Sequence, residues 1–380
     1  MTTGALRVCS LFSGIGGIEL GLASAGHETE LFVERDESAR LVLKDRFLDA
    51  RIHDDVSTLE RLPRCTELLA AGFPCQDISQ AGRVAGLMGA RSSLVQHVFR
   101  LMAQRSVRWV LLENVAFLLR AKRGAVMADI LQSLEDLGYR WAYRVLDSRA
   151  FGVPQRRERV FLLASTDEDP RSILLSGNEE LREQSARRYS VGFYWSEGNS
   201  GHGWAHEAVP PLKSGSSAGG ATPPAIVLPN GHVIKPDIRD AERLQGFRSG
   251  WTRAAKSERE RWRLVGNAVT VPVAAWIGKR LIEQPSWDDP GSFELEEGRA
   301  WPLAAYNVDG VRRGATLSPF PVWRPRKPLE EFLHFEGEEL SARATLGFLS
   351  RARASSLKFP EGFLDRVQRH LDRVQAVAAR

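Results

Sequence analysis

Three short stretches of this sequence carry side chains able to do covalent and acid–base chemistry. AGFPCQDIS (71–79) holds Cys75, LLENVAFLL (111–119) holds Glu113, and FGVPQRRERVFLLA (151–164) holds Gln155, Arg157 and Arg159. A free thiol has a pKa of ~8.5, and a nearby cation or helix N-terminus enriches its nucleophilic thiolate. Pro74 fixes its own φ and restricts Phe73, which stiffens the turn that aims the sulfur. An isolated cysteine is more often a small buried residue. Cys9 and Cys65, the other two of the three cysteines, are read that way. Cys75 differs because Glu113 and the arginines also close or open buried apolar runs. Their strand ends should converge on one crevice, bringing together a thiol, a carboxyl and two guanidiniums.

A second set of residues suits a nucleoside ligand. LFSGIGGIELGL (11–22) places Gly14, Gly16 and Gly17 between an apolar run and a helical pattern. Such glycines allow close backbone approach and present helix N–H groups to a ligand. The pattern falls short of the full dinucleotide fingerprint. Glu34 closes the next apolar run, where an acid can accept hydrogen bonds from both ribose hydroxyls. Asp55, in HDDVSTL (53–59), could take an adenine amino group.

These residues need a scaffold, and the hydrophobic pattern predicts one. Apolar strand-like runs at 6–12, 29–34, 67–72, 107–114 and 159–165 alternate with helical patterns at 17–26, 37–47, 92–104 and 125–138. Alternation of this kind predicts an α/β fold with a parallel, doubly wound sheet, whose ligands sit at the carboxyl ends of the strands. From 166 the chain turns rich in Gly, Ser, Pro and Trp. AIVLPNGHVI (225–234) reads as a hairpin turning at Asn230-Gly231. Helical patterns return at 237–247 and 270–284. Residues 286–380 read as a separate extension. It closes in a helix with Phe363, Leu364, Val367, Leu371, Val374 and Val377 on one face.

Composition bounds the function. The chain has 380 residues, 43% hydrophobic and 26% charged, enough for two or three domains. No stretch approaches the ~20 apolar residues of a membrane helix. The cysteines lack C-x-x-C spacing, which argues against a zinc site or disulfide framework. A net charge of +5 suits a polyanionic partner such as nucleic acid. Residues 341–380 alone carry eight Lys and Arg against three Asp and Glu.

LFSGIGG, AGFPCQDIS, LLENV, PQRRERVF, DAERLQGF and GNAVTVPVA occur in that order along residues 6 to about 284. Together they resemble the successive motifs of the cytosine-C5 DNA methyltransferases. The resemblance implies a Rossmann-like, S-adenosylmethionine-dependent catalytic domain at 1–165 plus 257–285. It implies a small loop-rich target-recognition domain at 166–256, followed by the C-terminal extension. Cys75 would attack C6 of a flipped-out cytosine in a short duplex DNA site. Glu113 would hydrogen-bond N3 and the exocyclic amine, and Arg157 and Arg159 would hold the base O2 or a neighbouring phosphate. Phe12, Gly14, Gly16, Glu34, Asp55, Pro74, Leu94 and Asn267 would bind S-adenosylmethionine, with no metal.

Gln76, Ser79, Gln155, Lys213 and Ser214 would contact DNA. Lys213 and Ser214 lie within AVPPLKSGSSAGGA (208–221), which is similar to the family's loop beside the flipped base. The resemblance further implies a monomer in the cytoplasm, at the nucleoid. It would protect DNA against a cognate restriction endonuclease acting separately, while phage self-protection and stand-alone epigenetic marking are equally compatible with the chain. The extension is absent from minimal family members; it either adds DNA contacts through its basic residues and Trp323 or packs on the body. Three rival readings remain at this level: a silent DNA-binding relative, an RNA methyltransferase and an NAD-binding Rossmann enzyme. An intact Cys75, Glu113 and Arg159 speak against the first, and Pro-Cys-Gln beside Glu-Asn-Val against the last.

Overall fold

The structure, a computed structural model, describes residues 4–74, 94–182, 189–197, 203–215, 222–289, 291–296 and 298–379. It divides into two compact units. The first comprises Met1–Ala150, Glu158–Leu181 and Val269–Trp323; the second comprises Phe151–Arg157, Arg182–Ala268 and Arg324–Arg380.

The first unit is built on a mixed sheet. β1 (Arg7–Leu11), β2 (Glu28–Val33), β3 (Ile52–His53), β4 (Leu68–Gly72) and β5 (Trp109–Val115) run parallel to one another. Helices cover both faces, so β1, β4 and β5 are apolar almost throughout. α1 (Gly17–Ala23) and α2 (Glu37–Arg46) follow β1 and β2. The Asp36 carboxylate caps α2 by accepting from the Ala39 N–H at 2.9 Å.

α3 (Val95–Gln104) and α4 (Ala125–Asp136) bury Val98, Leu101, Met127 and Leu131 against alternate residues of the strands, among them Cys9, Leu69 and Val110. On the opposite face α1 packs against α8 (Val271–Glu283). That crossing is close: a Cβ on Gly21 would stand 2.5 Å from the Ala274 Cβ.

The sheet departs from the all-parallel expectation after β5. β6 (Arg140–Asp147), which the sequence reading missed, lies one strand away, and β7 (Glu158–Ser165) returns between them antiparallel to both. A buried apolar run looks the same in either direction, so the pattern of 159–165 gave no sign of the reversal. Three further strands, β12 (Ser292–Glu294), β13 (Ala304–Asn307) and β14 (Arg313–Ala315), extend the same sheet beyond β6. Among the described residues the sheet has ten strands, ordered β12-β14-β13-β6-β7-β5-β4-β1-β2-β3.

The second unit centres on a small sheet ordered β15-β11-β10-β8-β9. Its strands are β8 (Val191–Phe193), β9 (Trp204–His206), β10 (Ala225–Val227), β11 (Val233–Lys235) and β15 (Glu338–Glu339). The expected hairpin is β10–β11, with Gly231 at φ +86° and the Asn230 side chain accepting from the His232 N–H at 2.9 Å. α6 (Ile238–Leu244), α7 (Glu258–Asn267) and the short α9 (Leu329–Phe332) also belong here. One face of the sheet is covered by α10 (Ala342–Ala354) and α11 (Phe363–Ala378). Phe348, Leu349, Phe363, Val367 and Leu371 pack there against Val191, Phe193, Ala225 and Val227.

The expected domain boundaries therefore need correction. Residues 286–380 are not a separate extension: their first part completes the large sheet and their second part forms half the core of the small unit. Residues 166–181 and 269–285 belong to the first unit, whereas 257–268 belong to the second. Apart from the hairpin marked by Asn230-Gly231, strands of two to four residues carry too little alternation to be read from sequence.

Candidate active site

The turn after β1 is shaped by three residues in the left-handed backbone region: Phe12 (φ +58°), Gly14 (φ +55°) and Gly16 (φ +83°). Gly16 also has no room for a Cβ, which would stand 2.5 Å from the Phe47 ring. Ser13 bridges β1 and β2; its N–H donates to the Val33 carbonyl at 3.1 Å and its hydroxyl to the Ser10 carbonyl at 3.1 Å. At the end of β2 Glu34 ties the turn down. Its Oε2 accepts from the Gly14 N–H at 2.7 Å and its Oε1 from the Asp36 N–H at 2.7 Å. Burial pushes the Glu34 carboxyl above its ordinary range, against the pull of those hydrogen bonds.

Asp55 lies after β3 and accepts from the Ser57 N–H at 2.8 Å, a bond that holds its carboxyl below the usual range. The loop that carries it is fastened to α3 by Arg100, whose Nη2 donates to the carbonyls of Val56 (3.1 Å) and Leu59 (2.8 Å). Leu94 sits at the start of the same helix, half-buried against the core. This donor set fits a nucleoside: two acceptor-only carboxylates for hydroxyl and amine donors, an apolar side chain for the base, and glycine backbone. Among the described residues no cluster of three or more His, Cys, Asp or Glu could hold a metal.

A second cluster forms where β4, β5 and β7 meet. Register pairs Gly72 with Glu113 and Val115 with Arg159. Arg159 Nε lies 3.2 Å from Glu113 Oε1, with side-chain exposures of 16% and 9%. A Cβ on Gly72 would stand 3.3 Å from the other carboxylate oxygen. Next to Glu113, Asn114 donates from Nδ2 to the Phe73 carbonyl at 2.9 Å, while its Oδ1 accepts from the Val115 N–H at 2.9 Å. Asn114 thus braces the chain just ahead of the exposed Pro74. Cys75, Gln76 and Ser79 lie outside the described residues.

The PQRRER stretch does not act as one unit. Gln155 is fully buried: its Nε2 donates to the Leu244 carbonyl at 2.9 Å and to Gln245 Oε1 at 3.1 Å, and its Oε1 accepts from the Leu212 N–H at 3.0 Å. Arg157 is 1% exposed. Its guanidinium donates to the carbonyls of Leu212 (3.0 Å), Gly266 (3.0 Å) and Ala268 (2.8 Å). Both were expected at substrate or DNA, and both instead hold the second unit together. Arg159 alone of the three lies beside Glu113.

Lys213 and Ser214 are half-buried in the second unit, Lys213 with its Nζ 3.2 Å from Glu197 Oε1. Asn267 is exposed at the end of α7 in that unit.

The sequence reading also passed over a buried acid. Glu19 is 1% exposed in α1 and accepts from the Ser10 hydroxyl. Burial pushes its carboxyl up to about 7. A lone acid on the apolar face of GIELGLA was the available sign.

Comparison with known proteins places this architecture in a class. Residues 6–198 match the model of the C-5 cytosine-specific DNA methylases. A relative from Bacillus subtilis, the type II methyltransferase M2.BsuMI, is 44% identical over 97% of this chain and 99% of its own. The type II methyltransferase M.Bsp6I from a Bacillus species is 26% identical, covering 73% of this chain and 99% of that protein. Among solved structures, the Entamoeba histolytica methyltransferase EhMeth superposes with a TM-score of 0.53 at 14% identity, covering 74% of this chain and 99% of that one, a likeness of fold. The chain belongs to the C-5 cytosine-specific DNA methylase family. It is an enzyme of that class, a DNA (cytosine-5-)-methyltransferase.

Proposed function

We propose that the protein methylates C5 of a flipped-out cytosine in a short, specific duplex DNA site through a covalent Cys75–C6 adduct. The observation that carries this reading is the Arg159–Glu113 pair at 3.2 Å, beside the Asn114 brace on the segment leading to Cys75. C5 of cytosine is a poor nucleophile in the intact ring. Addition of the Cys75 thiolate to C6 pushes the C5–C6 π electrons onto C5 and the ring. Glu113, with Arg159 steering one of its oxygens, hydrogen-bonds N3 and the exocyclic amine and so stabilises the charge that builds there. C5 then takes the methyl group, loses its proton, and expulsion of the sulfur restores the C5–C6 double bond.

S-adenosylmethionine supplies the methyl as an electrophilic sulfonium substituent. Glu34 would hold its ribose, Asp55 its adenine amine, Leu94 the face of the base, and Phe12, Gly14, Gly16 and Pro74 the rest of the nucleoside and its chain. Asn267 is assigned to the same cofactor on its motif alone. C5 and C6 are stacked inside duplex DNA, so the base must leave the helix to be reached. Gln76, Ser79, Lys213 and Ser214 are the proposed DNA contacts. Similarity to a bacterial type II methyltransferase supports a protective role beside a separate restriction endonuclease; action as a cytoplasmic monomer is part of the same proposal.

Expression in a methylation-free bacterial host, followed by bisulfite sequencing, tests this. One sequence motif with protected cytosines is expected, together with its loss in Cys75→Ser while S-adenosylmethionine binding persists. Full methylation by Cys75→Ser would rule the mechanism out.

A further inference from the structure

For residues 286–380 the sequence leaves two readings, a basic grip on DNA phosphate or packing, and 324–380 is the part that belongs to the second unit. Its place in the second unit suggests a third. Arg351, on α10, reaches across to the strand end after β8. Its Nη2 donates to the Trp195 carbonyl at 2.7 Å and its Nε to the Glu197 carbonyl at 3.1 Å. The Glu197 side chain, 8% exposed for the residue as a whole, accepts from Lys213 Nζ at 3.2 Å. The same ammonium stands 3.8 Å from the centroid of the Tyr194 ring, and the Tyr194 hydroxyl donates to the Pro211 carbonyl at 2.6 Å.

Behind Lys213, Arg157 holds the Leu212 carbonyl at 3.0 Å. Gly266 lets the backbone of 213–214 pass so close that a Cβ there would stand 2.4 Å from the Lys213 carbonyl carbon. Lys213 is therefore fixed at its backbone and at its charge, where the chain departs into Ser214 and Gly215.

We propose that Arg351 is a positioning residue for DNA recognition: by fixing Glu197 it fixes Lys213, and the C-terminal helices act through the recognition loop rather than by gripping phosphate. This rests on the DNA-methylating reading above. The side chains involved explain why an arginine is used. A planar guanidinium can serve two carbonyls two residues apart, which a lysine ammonium does less well.

The test compares Arg351→Ala with Arg353→Ala in the full-length enzyme. Both remove one positive charge from α10, but Arg353 is exposed and donates to Gln368 Oε1 at 2.9 Å. Steady-state methylation is measured on the duplex site found by bisulfite sequencing and on one-base variants of it, across a salt series. Expected for Arg351→Ala is about a tenfold rise in KM for DNA or an equal loss of site selectivity, the effect of losing two charged hydrogen bonds. S-adenosylmethionine affinity and the salt slope should stay as in the wild type. Arg353→Ala should behave as wild type, and Arg351→Ala should add little in a Lys213→Ala background.

Equal weakening by both single variants with a shallower salt slope would mean a phosphate grip and overturn the proposal. Wild-type KM and selectivity in Arg351→Ala would do the same. Should Arg351→Ala fail to fold, Arg351→Lys serves, with an intermediate rise in KM expected and none overturning the proposal. A wild-type enzyme that binds S-adenosylmethionine yet leaves DNA unmethylated would instead sink the functional reading.

Discussion

Arg159 Nε and Glu113 Oε1 lie 3.2 Å apart because β7 runs against β5. The reversal sets the first residues of β7 level with the last residues of β5, so Val115 pairs with Arg159 and Glu113 with Phe161. A parallel β7 would have carried Arg159 to the opposite end of the sheet. The antiparallel strand is thus what delivers a cation to the carboxylate that faces Gly72.

That pairing predicts a shared loss. Glu113→Gln keeps the shape and removes the charge; kcat should fall by roughly 10²–10⁴, the range for a positioned acid–base group. Arg159→Ala should lower kcat in the same direction, and the double variant should be little worse than Glu113→Gln, because the two act as one unit. S-adenosylmethionine affinity, measured by calorimetry, should not change in any of the three. Additive losses in the double variant would show that the pair does not work together.

Arg157 should behave differently from Arg159. Its guanidinium serves three backbone carbonyls in the interior of the second unit. Arg157→Ala leaves buried acceptors unmet, at a cost of about 3 kcal/mol. Differential scanning calorimetry should show a lowered Tm in the absence of any substrate, whereas Arg159→Ala should leave Tm nearly unchanged. A stable Arg157→Ala protein with lost activity would return Arg157 to the chemistry.

Glu19 predicts a dependence of stability on pH. Its folded pKa, pushed up to about 7 by burial, exceeds the ordinary carboxyl value of the unfolded chain. Between those two values the folded state binds the extra proton, so this group's contribution falls as pH rises and is fully lost above about 7. The full span is worth about 3 kcal/mol. His27 and His370 act in the opposite sense, since burial lowers both and their contribution is lost as pH falls below the ordinary histidine value. Glu19→Gln isolates the first effect. The stability difference between Glu19→Gln and wild type, by urea unfolding, should grow in the variant's favour from pH 5 to pH 8. A difference that stays level over that range would mean Glu19 does not titrate there.

What could be read from sequence was local. The glycine turn, Glu34 at the end of β2, the Asn230-Gly231 hairpin and the apolar stripe of α11 all rest on residues close along the chain. Turn chemistry and helical spacing act over that distance. Gly16 is an instance, since its positive φ follows from the strand-to-helix turn itself.

What the tertiary structure decided was direction, partner and burial. An apolar run such as 159–165 is the same in a parallel or an antiparallel strand, so only its neighbours determine where Arg159 points. Gln155, Arg157 and Arg159 alternate along one extended segment and look equivalent on paper. Two of them are consumed by carbonyls and amides contributed from residues 212, 244–245 and 266–268, about 55 to 111 positions away in sequence. The C-terminal stretch 286–380, of which only residues 341–380 are basic by composition, splits between a large sheet and a small core. Charge counts are properties of the chain; which guanidinium meets solvent and which meets a buried carbonyl is settled by contacts that form only when distant segments close on one another.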